Sequence, residues 1–400
     1  MSTSVLTGTL GHEDVLTSKQ MRDVSKGLYM KYQNISPLTS LLMKMPKGRK
    51  ATNPKVEWHY NEELPRWDTI SSVSGASGAT ITVTPSNVSY FKVGDVVEIP
   101  QLNPSATQTD VGVVTTKTTT IVITAVGWQS NGSSTAATFP TVTAGMKLHI
   151  ITDASEENST AATMKVRQTE AEWNYISFKR CGYKIGNIEQ EQAQYTGKER
   201  KQRKMETHRD IRIQCEEDLF HGERYYRDGT DGRQFFMRGF RRYLEQGGGS
   251  NLLDWSSGLT EEKFDAYLLK GPCQAGIGSP TARFGFFSND LYLAILKIGK
   301  DKERIVGQQK ILGQDFTIYL APGGIKLYMK VHHLLKEEHE GAGLIVDPTR
   351  ARIRPYGSRG QLEFHPEIQE NDRAGVWDEW WTLFSLEVDT LHPHGWIYKG

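Results

Sequence analysis

The densest group of side chains able to bind a metal or move a proton comprises His332, His333, Glu337, Glu338, His339 and Glu340. A zinc hydrolase of the common kind needs two histidines bracketing a glutamate on one helix, so that both imidazoles face the metal, and this run lacks that order. It is expected to be a solvated loop between strands. His392 and His394 flank Pro393 and could share one side of an extended chain, but no third ligand lies near them in sequence. The pairs Gly197-Lys198 and Gly299-Lys300 lack the upstream glycine and the following hydroxyl with which a phosphate loop cradles a nucleotide. Gly276 with Gly278, and Gly341 with Gly343, lack the third glycine of a dinucleotide site and read as turns. Cys181, Cys215 and Cys273 are odd in number and widely spaced, which fits neither a disulfide framework nor a thiolate zinc site, so they read as reduced thiols. No Gly-x-Ser-x-Gly elbow is present. The expectation is a protein without catalytic residues, cofactor or metal.

One electrostatic feature stands out. Lys198, Arg200, Lys201, Arg203, Lys204, Arg209 and Arg212 are opposed only by Glu199, Glu206 and Asp210, a local charge of +4 in a chain whose total is +1. Such a stretch is either a solvated helix face laced with ion pairs or a surface facing phosphates or an acidic neighbour. Candidate acids on a neighbouring copy are Glu261, Glu262, Asp372 and Asp378. No aromatic residues interleave these cations, so a platform for stacking single-stranded nucleic acid is not expected.

The elements that must carry these residues can be read from periodicity. At roughly 150 residues per domain, 400 residues imply two or three units. Apolar positions between 14 and 45, interrupted at Pro37, suggest two short amphipathic helices that cannot fold alone. Residues 67–166 hold 31 Ser or Thr, 20 Val or Ile and only 11 charged residues, with β-branched blocks at 80–84, 93–99, 111–115, 119–126 and 147–152. Short, evenly spaced strands of this kind predict a small antiparallel barrel or sandwich. Met205, His208, Ile211, Cys215 and Leu219 then recur every three or four residues, which predicts a helix over 198–221, about 36 Å long. Thr260 and Ser288 suit helix N-caps, with Gly271 and Gly299 as the matching terminators. After residue 314 extended segments dominate, ending in a strand over 377–391 with apolar residues on both faces. No apolar run reaches the ~18 residues of a membrane span, and the first residues carry no secretory signal, so residence in a cytoplasm is expected.

This order of parts resembles the major capsid protein of tailed bacteriophages, the fold named after Hong Kong phage ninety-seven, in its subgroup with a small β-domain inserted in the extended loop. The likeness is carried by SPLTSLL at 36–42 followed by VEWH at 56–59, by FKVGDVV at 91–97 before GMKLHII at 145–151, and by EEDLFHG at 216–222 closing the long helix. GLIVDP at 343–348 and WTLFSLE at 381–387 continue it. The resemblance implies an α+β chain with an N-terminal arm at 1–50 and extended loop and peripheral-domain strands at 51–67 and 164–196. It further implies an inserted β-rich domain at 68–163, a spine helix and peripheral domain at 197–240, an axial domain at 241–350 and a peripheral return at 351–400.

The implied function is self-assembly into the icosahedral head shell around double-stranded DNA. The principal partner is then the chain itself, in hexamers and pentamers. Portal protein, scaffold or decoration proteins and non-specific contacts to the packaged DNA complete the set; a membrane is not among them. Virion capsid is the implied location, with assembly in the host cytoplasm. Some relatives cross-link through lysine, asparagine and glutamate, but nothing in this chain marks such a trio. Candidate inter-subunit or DNA-facing residues are Trp58 at the base of the extended loop, Arg66 and Trp67 at the hinge of the inserted domain, and Arg200, Lys201, Arg203 and Lys204 on the helix. The alternative is a decoration or tail-surface binding module using the β-rich domain.

Overall fold

A computed structural model describes residues 36–45, 48–61, 63–105, 107–127, 129–130, 133–134, 137–154, 165, 169–191, 198–247, 251–274, 282–301, 304–311, 313–357, 362–368 and 375–400. The first of the two expected N-terminal helices lies outside these residues. The chain divides into two compact units, His59–Glu170 and the two flanking segments taken together.

In the first unit the β-branched blocks close into a six-stranded barrel, in the order Trp67–Gly75, Thr80–Pro85, Ile121–Ala125, Val111–Lys117, Asp95–Glu98, Lys147–Asp153 and back to the first. Alternation explains the closure: Ile81, Val83, Val97, Val114, Ile121, Ile123 and Leu148 point inward at 1% exposure or less, while the Ser and Thr between them face out. Phe91 and Phe139 fill the interior. Gly112 is required by this packing, because a Cβ there would stand 2.5 Å from Ile123 Cγ2 and 2.7 Å from the Thr124 carbonyl oxygen. Asp95, a carboxylate buried to 2% in this unit, accepts from Lys92 N and pairs with Lys165 Nζ at 2.7 Å. Both partners belong to the same unit.

Among the described residues the second unit holds six helices: α1 (Pro37–Lys44), α2 (Asn187–Glu191), α3 (Glu199–His221), α4 (Phe240–Gly247), α5 (Glu261–Lys270) and α6 (Asn289–Asp301). In α3 the sequence stripe is buried at Ile211, Cys215 and Leu219 but emerges at Met205, which is 41% exposed. The Thr260 hydroxyl caps α5, accepting from Lys263 N. Helix α6 runs past Gly299 to Asp301, so that glycine does not end it. The cost of a glycine inside a helix is only about 1 kcal/mol, and the buried face of Leu291 and Ile295 outweighs it.

Helix α3 packs on an antiparallel sheet in which the 13-residue strand Val376–Val388 pairs with Ser177–Ile185, Ala351–Pro355 and Glu363–His365. A seven-stranded mixed sheet runs in the order Leu252–Asp254, Gly395–Tyr398, Gly343–Val346, Ala282–Phe287, Lys326–Val331, Gln314–Leu320, Ile305–Ile311. Gly395–Tyr398 returns from the chain's end to sit between strands of the 241–350 region, so the sheet crosses the boundary drawn at 350. This sheet separates two cores by simple alternation. Phe284, Phe286, Tyr328, Leu344, Val346 and Trp396 join the core of α1, α3 and α4, while Phe287, Leu327, Met329, Ile345 and Ile397 join that of α5 and α6. Covered on both faces, its central strands read as unbroken apolar runs.

Candidate functional site

The charge-rich helix α3 resolves into three different environments. Arg200 donates to Asp378 through Nε (2.8 Å) and Nη2 (2.9 Å), and through Nη1 to Glu367 at 3.2 Å. Asp378, fully buried, also accepts from Tyr183 Oη at 2.6 Å and Glu367 N at 2.9 Å. Burial pulls its carboxyl upward, but these four donors more than offset that and hold it below the ordinary carboxylate value. The Tyr183 hydroxyl is pushed well up by burial and by its bond to the Asp378 anion. Arg203 is half exposed and bridges Glu199 and Glu206 one turn away on either side. Lys204 Nζ lies over the Phe364 ring at 3.4 Å and over the Trp380 ring at 5.6 Å. Lys201 is exposed, with no ion pair among the described residues. Asp378, expected as an acid that a neighbouring copy would offer, is therefore a partner within the same chain, and Glu261 faces Arg304 at 3.0 Å. Asp372 lies outside the described residues.

A second polar centre sits deeper. Glu216, on the inner face of α3, accepts from Leu38 N (2.8 Å), Thr39 N (2.7 Å), Thr39 Oγ1 and His332 Nε2 (2.7 Å). Glu216 and Thr39 have no exposure at all, and His332 is 1% exposed. This corrects the expectation of a solvated loop for His332: the helix brings a carboxylate to it across 116 positions of sequence, which no local pattern announces. The remainder of that run behaves as expected, Glu337–His339 forming a surface 3-10 turn. His221 stacks on His339 at 4.2 Å, and burial together with the neighbouring cations pushes it down to about 4. His394 is entirely buried, with Nδ1 accepting from Asp347 N at 3.3 Å, and burial pushes it down to about 3. Among the described residues no group of three or more His, Cys, Asp or Glu could hold a metal, and no helix is long and apolar enough to cross a membrane. Cys215 and Cys273 are buried free thiols, both pushed up to about 11 by burial.

Of the remaining candidates, Trp58 is a core residue, 7% exposed, whose Nε1 donates to Val388 O at 3.0 Å. Trp67 is 51% exposed and stacks on His149 with ring centroids 4.0 Å apart. Arg66 is exposed, its carbonyl accepting from Ile150 N at 2.8 Å. Arg66 and Trp67 belong to the unit of the barrel, and Trp58 with the α3 cations to the other. Sequence reasoning passed over the hairpin Tyr225–Gly229 and Gly232–Phe236. Its Tyr225, Tyr226 and Phe236 are each at least 40% exposed, with Arg227 over Phe236 and Arg233 over Tyr226. The turn signal was present in Asp228-Gly229 and Asp231-Gly232 between two aromatic pairs. Exposed Tyr, Phe and Arg are the residue types enriched where proteins meet.

Among the described residues no catalytic constellation emerges, and the buried polar contacts seat segments of the chain on one another. A family model for the SU10 major capsid protein matches residues 4–398. The chain belongs to that family. It is a major capsid protein, and it forms the shell of a phage head. No curated protein matches this capsid protein. Among solved structures it is similar to one from Mycobacterium phage Adephagia, with a TM-score of 0.48 at 7% identity over 98% of this chain and 99% of that one. One from Mycobacterium phage Bobi gives 0.47 at 8%, over 98% and 99%. The capsid of Myoviridae phage XM1 gives 0.45 at 9%, over 96% and 99%.

Proposed function

We propose that this capsid protein builds the hexamers and pentamers of an icosahedral tailed-phage head that encloses double-stranded DNA, assembling in the host cytoplasm. The observation that carries the reading is the family match, which takes in nearly the whole chain rather than the barrel alone. In this reading the barrel within 68–163 is a domain inserted in an extended loop, α3 is the spine helix, the seven-stranded sheet forms the axial domain, and residues 1–50 are an arm. Its role is structural and not enzymatic. Exposed aromatic and charged groups, Trp67, Arg66, Lys201 and Arg203 among them, meet neighbouring subunits or packaged DNA. Portal protein and scaffold or decoration proteins are the remaining partners. The purified chain, expressed alone and with its phage partners, should give closed shells or rings of five and six in electron microscopy and light scattering. Uniform monomers under both conditions would overturn the reading.

A further inference from the structure

The first turn of α1 leaves no backbone donor of its own unassigned. Pro37 has none, Ser40 N donates to Ser36 O at 3.1 Å, and Leu38 N and Thr39 N each take one oxygen of Glu216. Ser36 supplies no side-chain cap. A helix is normally capped by the residue just before it; here the cap comes from 177 positions away on α3. The same carboxylate holds His332, which opens the segment leading to the Glu337–His339 turn. Leu334 N donates to His332 Nδ1 at 3.3 Å, so the proton sits on Nε2 and is donated to Glu216. Two other contacts brace the helix, Arg212 to the Ser40 hydroxyl and Gln314 Nε2 to Pro37 O at 3.4 Å. Leu38, Leu41 and Leu42 are buried to 2% or less.

We propose that Glu216 is a positioning residue for assembly, a remote cap that makes the seating of α1 and the closure of the 332–342 segment one event. The physical reason is that a buried carboxylate deprived of donors is strongly unfavourable; losing α1 removes three of the four and losing His332 the fourth. When α1 leaves, only His332 holds the anion; when the His332 segment opens, only α1 does. Each therefore raises the other's occupancy, and the coupling is reciprocal. Its consequence rests on the shell-forming reading. Helix α1 is the first element of the described residues, and the 332–342 segment presents the exposed acids Glu337, Glu338 and Glu340. Whether α1 is seated would thus be felt at that acidic turn.

The test is amide hydrogen exchange on the unassembled subunit, which needs no shell to form. His332→Phe keeps a ring between Phe220 and Phe286 but removes the donor; it should speed exchange at the Leu38 and Thr39 amides at least tenfold. Thr39→Val removes one donor to the carboxylate and should speed exchange at Leu335, His339 and Ala342 several-fold, although it lies on the other element. His332→Gln restores an N–H donor and should bring α1 back toward wild-type protection, which a role in packing alone would not do. Peptides from Val376–Val388 report whether the body as a whole has loosened. Should His332→Phe fail to fold, Thr39→Val carries the same prediction in the opposite direction. Loosening confined to the mutated element in both variants would overturn the proposal. Coupled exchange in a subunit that forms no shells would uphold it while counting against the assembly reading.

Discussion

The barrel and the body are held together in different ways. Within His59–Glu170 the inward side chains are almost all aliphatic or aromatic, and the buried acid Asp95 is met by Lys92 N and Lys165 Nζ of the same unit. In the body, by contrast, buried carboxylates are met from much further along the chain: Glu216 by Thr39 across 177 positions and Asp378 by Arg200 across 178, against the 70 between Asp95 and Lys165. Alternating hydrophobicity is enough to specify a closed barrel. A body whose arm helix, long helix and closing strand come from distant parts of one chain also needs directional contacts, and buried polar pairs penalise wrong seating because an unpartnered charge is costly.

The comparison breaks most sharply at Asp347, which faces Arg283 at 3.2 Å with both side chains fully buried. Asp347→Ala leaves the guanidinium without its anion and should destabilise the body by about 3–5 kcal/mol. Hydrogen exchange in barrel peptides should be unchanged, and equal loosening of both units would erase the distinction.

Acid should separate the units next. His394 and His221 are held neutral in the folded body, at about 3 and about 4, and burial lowers His208, His333 and His339 as well. As pH falls below about 6.5 the unfolded chain takes up these protons first, so the stabilisation present above that pH is lost on the way down. Each of the two strongly shifted histidines contributes about 1.4 kcal/mol per pH unit, giving a loss of about 2–3 kcal/mol at pH 5.5. Denaturant melts at pH 7.5 and 5.5 check it, and His394→Phe should flatten the dependence.

In the barrel, Gly112→Val forces a branched side chain against Ile123, Phe139 and the Thr124 carbonyl. A cost of about 1–3 kcal/mol is expected there, with body peptides unaffected. The smallest contrast lies within α3. Arg200→Gln deprives buried Asp378 of its bidentate partner and should cost about 1–2 kcal/mol, the partial exposure of Arg200 moderating the loss. Arg203→Gln, three residues on and half exposed, should cost under about 0.5 kcal/mol. Equal effects in thermal melts would mean that the helix carries one undifferentiated charged face.

Legibility in the sequence followed the same divide. Five barrel strands coincide with β-branched blocks, whereas the sixth, Trp67–Gly75, hid behind its serines and glycines, which give little apolar alternation. The long helix was visible because its buried positions, from Thr207 to Phe220, recur every three or four residues over about four turns. Gly299 misled because a glycine stops a helix only when packing does not carry it onward. His332 and Arg200 were misread for one reason: both are hydrophilic residues whose partners lie more than a hundred positions away. The hairpin at 225–236 was passed over although its turn signals were local.

By itself the sequence determined where five barrel strands and the long helix form, that a low-charge β-rich unit interrupts a more charged chain, and which family the whole belongs to. Those properties depend on short-range periodicity and on residue order, both written along the chain. Only the tertiary structure decided which charges are structural and which are free to face a partner. That choice depends on burial and on an opposite group reached through the fold, so Arg200 and Arg203, three residues apart on one helix, ended with different roles.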